Sequence, residues 1–370
     1  MLGWRIVQVM LLVLLMENLR RNGHQICAPT TTTAVRTTKS FRATDDAGSS
    51  SQYTEPLSDR VPAQGIETIL ATSATHPPFH FFAYAKKTDM VTAHIVQTGI
   101  YEKDSTTALV DTLVCQPLQQ QQDDGLPMLV LDLGANIGFH SLHMASCGAR
   151  VVAFEASPDT AWLLRSSAKL NGFWRDKPSP SENTTLTIIP RGASNKVSKG
   201  RLSRHPKSPG MTSFIAQSAF ELQTGDKGTA LDVDIPLVRA QDVLKEIGVS
   251  PDAYQLRLVK MDVEGFELQA LQGLDLQQQF PFDYLTFEFF PAMLTSAGTG
   301  PVDLLVYIWK QGYRYLEFSD KNAKNMDSYP TIPMGNTEAA VRKWGHSMVM
   351  QGDAKDGKGF HVNLLVKRVA

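Results

Sequence analysis

At 370 residues, 42% hydrophobic and 20% charged, the chain has the composition of a globular protein, with length for one large domain or two small ones. Its 36 basic and 37 acidic side chains nearly cancel, a balance that shows neither the basic footprint of a nucleic-acid binder nor an acidic tail. The three cysteines, Cys27, Cys115 and Cys147, match no zinc spacing and are too few for a disulfide framework. Cys147 falls within a helical pattern and reads as a buried thiol, while a Cys27–Cys115 bridge stays open.

In chain order, Arg5 precedes a nearly unbroken apolar run over residues 6–16, interrupted by Gln8. A basic start and an apolar core of that length predict a secretory signal peptide over residues 1–28, with a short uncleaved membrane anchor as its rival and an organellar transit peptide as a weaker third reading. The expected address is therefore the secretory pathway, lumenal, secreted or anchored through residues 6–16. Residues 29–78 are rich in Thr, Ser, Ala and Pro without amphipathic period, and read as a flexible stem. Folded structure is expected from Phe79, with residues 79–124 forming an N-terminal extension that packs on a catalytic domain of residues 125–370.

PFHFFAYAKKTDMVTAHIVQTG reads as one or two strands, YEKDSTTALVDTLV as a short helix, and Gln119 to Asp124 as a polar surface loop. MLVLDLG is a buried strand entering a glycine turn. Helices and strands then alternate. FHSLHMASCG is a helix, RVVAFEAS a strand, PDTAWLLRSSAKLNG a helix opened by Pro158 and closed by Gly172, and LTIIPRGAS a strand. LDVDIPLV is a strand with MTSF as a candidate partner. AQDVLKEIG, FELQALQGL and VDLLVYIWKQG are helices between the strands LRLVKMDVEG, YLTFEFFP and YRYLEFS, and FHVNLLVKRV is the last strand, after an insertion over 319–359. This alternation predicts parallel βαβ units wound on both faces of one sheet. Asn183-Thr184-Thr185 is a glycosylation sequon, usable in a secretory lumen.

The chemical signal is Asp132-Leu133-Gly134-Ala135-Asn136-Ile137-Gly138, at a strand end opening a helix. The glycines allow a tight turn and close approach of backbone to a ligand in the crevice beyond the strand ends. They are four apart, with an acid two positions before the first, unlike the G-x-G-x-x-G of a pyrophosphate loop; this argues against the competing reading, a nicotinamide-dependent oxidoreductase. A carboxylate there suits a cationic ligand such as S-adenosylmethionine. Glu155, ending the next strand, is placed to accept hydrogen bonds from ribose hydroxyls. Asp262, in Val259-Lys260-Met261-Asp262-Val263-Glu264-Gly265, ends a later strand facing the same crevice.

VLDLGANIGFHS, VVAFEASPDTAWLLRSSAKLNG, LVKMDVEGFELQALQGL and YLTFEFFP together resemble the motifs of the FkbM-type methyltransferases, from about Gly125 to Phe318. The resemblance implies an α/β, doubly wound, mostly parallel seven-stranded sheet with strand order 3-2-1-4-5-7-6. It also implies methyl transfer from S-adenosylmethionine to an oxygen of a sugar or small metabolite. Carried over by position, it implies that Asp132, Gly134, Ala135, Asn136 and Gly138 form the cofactor loop, Glu155 the ribose contact and Asp262 the acid after strand 4. Ala156 stands where the family usually has proline.

An alcohol acceptor must also lose a proton, so a positioned carboxylate is expected; Asp262, Glu264 and Glu288 are the candidates in that order. His140 is considered for the pocket and His143 read as a satisfied core or surface histidine. No ligand spacing such as H-E-x-x-H is present, so no metal ligand is singled out, and a magnesium-assisted transfer stays open. The expected partner is a small-molecule or glycan acceptor, with no nucleic acid. A non-catalytic module that keeps the fold is the reading from a different class; the intact Asp132, Glu155 and Asp262 speak against it.

Overall fold

The computed structural model describes residues 67–85, 89–120, 125–174, 185–205, 207–215, 228–231, 233–275, 281–316, 337–353 and 362–369. The apolar run over 6–16, Cys27 and the sequon at Asn183 lie outside these residues.

An N-terminal hairpin comes first, β1 (Thr68–Thr72) against β2 (His80–Tyr84), antiparallel with Thr68 opposite Tyr84. Helices α1 (Met90–Thr98) and α2 (Thr106–Val110) follow, then a π-helical turn (Asp111–Cys115) and α3 (Gln116–Gln120). The alternating part comprises β3 (Met128–Leu133), α4 (Phe139–Ser146), β4 (Arg150–Phe154), α5 (Pro158–Leu170) and β5 (Leu186–Ile189). Short strands β6 (Gly192–Ala193), β7 (Ser198–Gly200), β8 (Ser203–His205), β9 (Ser208–Ser213), β10 (Thr229–Ala230) and β11 (Ile235–Val238) interrupt it. It resumes as α6 (Ala240–Glu246), β12 (Gln255–Met261), α7 (Glu267–Gln272), β13 (Tyr284–Phe289), α8 (Pro291–Ser296), α9 (Pro301–Lys310), β14 (Tyr313–Leu316), α10 (Glu338–Asp353) and β15 (Val362–Arg368).

The seven long strands form one sheet in the order β14-β15-β13-β12-β3-β4-β5. β15 runs antiparallel to both neighbours and the other pairs are parallel. Counted along the chain, this is the expected 3-2-1-4-5-7-6. Side chains alternate across each strand. Leu129, Leu131 and Leu133 of β3 thus join the core under α6, α7 and α9, while Met128 and Val130 join the core under α4, α5 and the N-terminal extension. Chain order reverses between β3 and β12, so a crevice opens beyond their carboxyl ends.

Several expectations are corrected. Folded structure begins before Phe79, because β1 lies inside the expected stem; Ile69 and its β-branched neighbour Thr68 pair with β2, a partner that composition cannot reveal. Residues 90–98, expected to be extended, are helical. Asp89 caps α1 by accepting from the Thr92 N–H at 2.8 Å, and Gly99 closes it at φ +76°. Gln119 and Gln120 end a helix where a loop was expected. Met211 and its neighbours pair with β8, not with β11, because a tight reversal brings His205 opposite Ser208; β11 pairs with β6 and β7. Cys147 is not a free thiol, and no bridge joins Cys27 to Cys115: Cys115 and Cys147 form a disulfide, Cα to Cα 5.1 Å. The insertion before the last strand contains α10, which lays Trp344 against Tyr315, ring centres 4.9 Å apart. No helix among the described residues is long and apolar enough to cross a membrane.

Candidate active site

The crevice beyond β3 and β12 is a cleft open to solvent, lined by residues of both strand-end turns, among them Gly134, Asn136, Asp262 and Phe266. Its floor is the turn after β3. The N–H groups of Gly134 and Ala135 both donate to the carbonyl of Phe154, at 2.9 Å each, which folds the loop across the end of β4. Gly134 has φ +82°, and a Cβ there would overlap the carbonyl oxygen of Asp262, so glycine is required where the β3 and β12 turns touch. Asn136 holds a left-handed backbone, φ +54°. Its N–H donates to Glu155 Oε2 at 2.8 Å, and Ser157 N–H donates to Oε1 at 2.7 Å. Both carboxylate oxygens of Glu155 are therefore aimed before any ligand arrives. Burial raises Glu155 to about 7, against the lowering effect of the two N–H donors.

Gly134, Asn136, Glu155, Asp262 and Glu264 line the cleft, as expected. Ala135 and Gly138 do not; Gly138 instead makes room for Leu164 where α4 starts against α5. Asp132 is the main correction. It is fully buried, accepts from Ser141 Oγ at 2.6 Å and lies 3.3 Å from Lys260 Nζ, its cross-strand neighbour. It is not among the cleft-lining residues, because on the alternating strand it lies on the α4 side of the sheet. Lys260 also donates to the Gly134 carbonyl at 3.1 Å and lies 3.9 Å from Asp262 Oδ2. Asp132 therefore supports the loop through a buried cation. Sequence reading gave Lys260 no role, although a lysine inside the apolar strand QLRLVKM was a signal that a buried partner had to exist.

Asp262 and Glu264 on the cleft meet Glu288, the third proposed proton acceptor, which is not among the residues lining it. Carboxylate oxygens of Asp262, Glu264 and Glu288 all lie within 4.8 Å of one another, from the ends of β12 and β13. Burial raises all three, and their mutual repulsion adds to it at Glu264 and Glu288, bringing Glu288 to about 10. Lys260 opposes the rise at Asp262, whose Oδ1 is buried without a partner. Such a triad has the spacing to chelate a cation, a grouping no linear spacing could disclose.

Two further contributors escaped sequence reading. The extension brings Glu102, at φ +48°, to His140, Oε2 to Nε2 3.2 Å. Burial alone would raise Glu102, but the imidazole's hydrogen bond and charge bring it down to about 2. His140 is occupied by this pair and buried, and His143 is buried in the core as expected. Meanwhile β9 covers the cleft with Gly210, Thr212 and Ser213. Asp89 Oδ1 fixes it by accepting from Ser208 Oγ at 2.9 Å and Gly210 N–H at 3.1 Å, and Asn136 Nδ2 donates to the Gly210 carbonyl at 3.2 Å. Three of the four non-glycine residues with positive φ among those described, Glu102, Asn136 and Glu264, belong to this region, where strained backbone concentrates.

The sequence model of the methyltransferase FkbM domain matches residues 132–315. Methyltransferase sdnD of Sordaria araneosa is 30% identical over 164 residues, 40% of this chain and 60% of that protein. Hexuronic acid methyltransferase AglP of Haloferax volcanii is 29% identical over 157 residues, 42% of this chain and 53% of that protein. The chain thus spans less than two thirds of the length of these curated relatives. Among solved structures, the precorrin-6y C5,15-methyltransferase of Geobacter metallireducens covers 71% of this chain, and this chain 86% of it, at 10% identity and a TM-score of 0.31. That likeness is too slight to place any residue.

Proposed function

This chain belongs to the FkbM methyltransferase family through residues 132–315, and from that premise we propose that it transfers the methyl group of S-adenosylmethionine to an oxygen of a carbohydrate or small metabolite. The observation that carries the reading is a pair of carboxylates, Glu155 and Asp262, set at two strand ends on either side of a glycine turn. The residues suit that donor. Gly134 leaves bare backbone in the cleft, and Asp262 Oδ1 is a buried oxygen lacking a partner, suited to a cationic group. Glu155, oriented by two N–H donors, keeps lone pairs free for ribose hydroxyls.

S-Adenosylmethionine supplies a methyl group already activated on a cationic sulfur. What remains for the chain is alignment, exclusion of water and removal of the acceptor's proton. Glu155 holds the ribose, the Gly134–Asn136 turn carries the backbone face of the site, and Asp262 accepts the proton. All three are raised by burial, and Asp262 is preferred because Lys260, 3.9 Å away, is the leading influence opposing its rise, whereas at Glu264 the lysine counts least and at Glu288 repulsion by neighbouring acids adds to the rise. The relative named for hexuronic acid supports a carbohydrate acceptor. The acids around Asp262 disfavour a carboxylate beside the methyl, so the acceptor atom is assigned to a neutral hydroxyl.

The test is incubation of the purified chain with S-adenosylmethionine and a panel of sugars and sugar acids, read by mass spectrometry for one added methyl. Asp262→Asn is expected to lower kcat by about 10²-fold or more while the protein stays folded. Full turnover in that variant removes Asp262 from the reaction, and absence of S-adenosylhomocysteine binding removes the reading itself.

We also propose delivery to the secretory pathway. Arg5 with the apolar run over 6–16, the sequon at Asn183 and the Cys115–Cys147 disulfide support it. Expression of the full chain in secretory cells is expected to give a product shortened by deglycosylation, an effect that Asn183→Gln abolishes. A chain that remains unglycosylated in the cytosol overturns this placement.

A further inference from the structure

Away from the cleft, a second set of ligating side chains meets between the π-helical turn and α4. Asp111 and Cys115 open and close the turn, four residues apart; His143 and Cys147 are also four apart, at the end of α4 and just beyond it. That spacing sets each pair on one face of its helical segment, and the two faces meet. Donor atoms of Cys115, His143 and Cys147 all lie within 4.8 Å of one another. His143 Nε2 is 3.8 Å from Cys115 Sγ and 3.1 Å from Asp111 Oδ1. The imidazole is fully buried and its Nδ1 has no partner, so Nε2 is the nitrogen turned toward the sulfur and the carboxylate.

A tetrahedral zinc ion has bonds of about 2.3 Å to sulfur and about 2.0–2.2 Å to nitrogen and oxygen, which puts neighbouring donors roughly 3–4 Å apart. Both contacts of His143 already fall in that range. What stands against a metal is the bond between the two sulfurs. We propose that Cys115, Cys147, His143 and Asp111 form a zinc site when that bond is reduced, so that the disulfide and Zn²⁺ are alternative occupants of one place.

Reduction by a dithiol passes two electrons and two protons to the disulfide, giving two thiols as the dithiol becomes a disulfide. Zinc then displaces both thiol protons and is held by two thiolates, a neutral imidazole and a carboxylate. A cavity lined by Thr75, His76, Asp111, Cys115 and Gln116 lies beside one of the cysteines and the carboxylate. The chemistry is that of a Cys₂HisAsp site, a donor set suited to zinc and not to the hard cations that prefer all-oxygen ligands.

The experiment uses the full chain with Cys27→Ser, oxidised or reduced by a phosphine and freed of metal, titrated with Co²⁺ and then Zn²⁺. The expected result is one cobalt per reduced chain with a sulfur-to-metal charge-transfer band, bleached by zinc, and no such band from the oxidised chain. Zinc is also expected to raise the melting temperature of the reduced chain alone. His143→Ala should weaken binding by about tenfold or more. Asp111→Asn, at a half-exposed carboxylate, should weaken it while keeping the band. Cobalt taken up without a sulfur band marks the carboxylates of the cleft as the binding site and overturns the proposal. So does affinity unchanged in both variants, or a reduced chain that zinc does not stabilise.

Discussion

At the scale of single residues, the two acids of the glycine turn separate into different roles. Glu155 lines the cleft with both oxygens aimed by backbone donors, so Glu155→Ala is expected to weaken S-adenosylhomocysteine binding by about 1–3 kcal/mol, measured by calorimetry. Because Glu155 is raised to about 7 and its ionised form is the better acceptor for hydroxyls, affinity should rise as pH increases from 6 to 8. Glu155→Gln should flatten that dependence. Asp132, by contrast, belongs to a buried ion pair with Lys260. Removing one partner leaves an uncompensated charge, which costs about 3–5 kcal/mol. Asp132→Ala is therefore expected to lower the unfolding midpoint in denaturant sharply without cofactor present, and Lys260→Met to do the same. An unchanged midpoint for both would mean that the pair contributes nothing to the loop.

At the scale of elements, the glycine turn and the disulfide are two of the points where sequence-distant segments are fastened. Gly134→Ala places a methyl against the Asp262 carbonyl at a backbone angle L-residues avoid. It is expected to abolish cofactor binding, while Gly172→Ala, at an equally left-handed position with open space around it, should leave binding intact. The Cys115–Cys147 link closes 32 residues of sequence separation, and loop-closure entropy puts its contribution at roughly 3–4 kcal/mol. A metal-free reduced chain should show that loss as a lower denaturation midpoint. The helices and strands of the sheet were legible because each buries a continuous or amphipathic apolar face: β3, β12 and β13 read as apolar runs closed by glycine or acid. The hairpin at Thr68–Thr72 and the helix at Met90–Thr98 were not. Their stability comes from partners remote in sequence, such as the Phe82 N–H donating to Ser167 Oγ at 2.8 Å, and from the Asp89 cap.

At the scale of the whole molecule, the sheet gathers like charges at its carboxyl edge, and this should appear in its stability. Glu155 and Glu267 rise from 4.5 to about 7, Glu288 rises to about 10, and Asp262 and Glu264 rise as well. A carboxyl raised in the folded state binds more protons folded than unfolded, so stability falls as pH rises from about 4.5 through the folded value. Glu102, lowered to about 2, acts in the opposite sense, but below that window. Without cofactor, the melting temperature is therefore expected to decline from pH 5 to pH 8.5, and a flat or rising curve would contradict the clustering. Saturating S-adenosylhomocysteine should raise the curve throughout by occupying the folded state alone.

The sequence by itself determined the sheet, its winding and the two turns that end β3 and β12, because glycine spacing and apolar runs encode local backbone directly. It also singled out Glu155, Asp262, Glu264 and Glu288, because each stands at or just beyond the end of an apolar strand. Only the tertiary structure decided which acids face the cleft and which are spent inside, because a strand's alternation shows that two residues differ in face but not which face is open. It likewise decided the meeting of Asp262 with Glu288, of Glu102 with His140, and of Cys115 with Cys147. Those contacts join residues 26 to 38 positions apart, or link separate strand ends, and a one-dimensional pattern carries no distance between them.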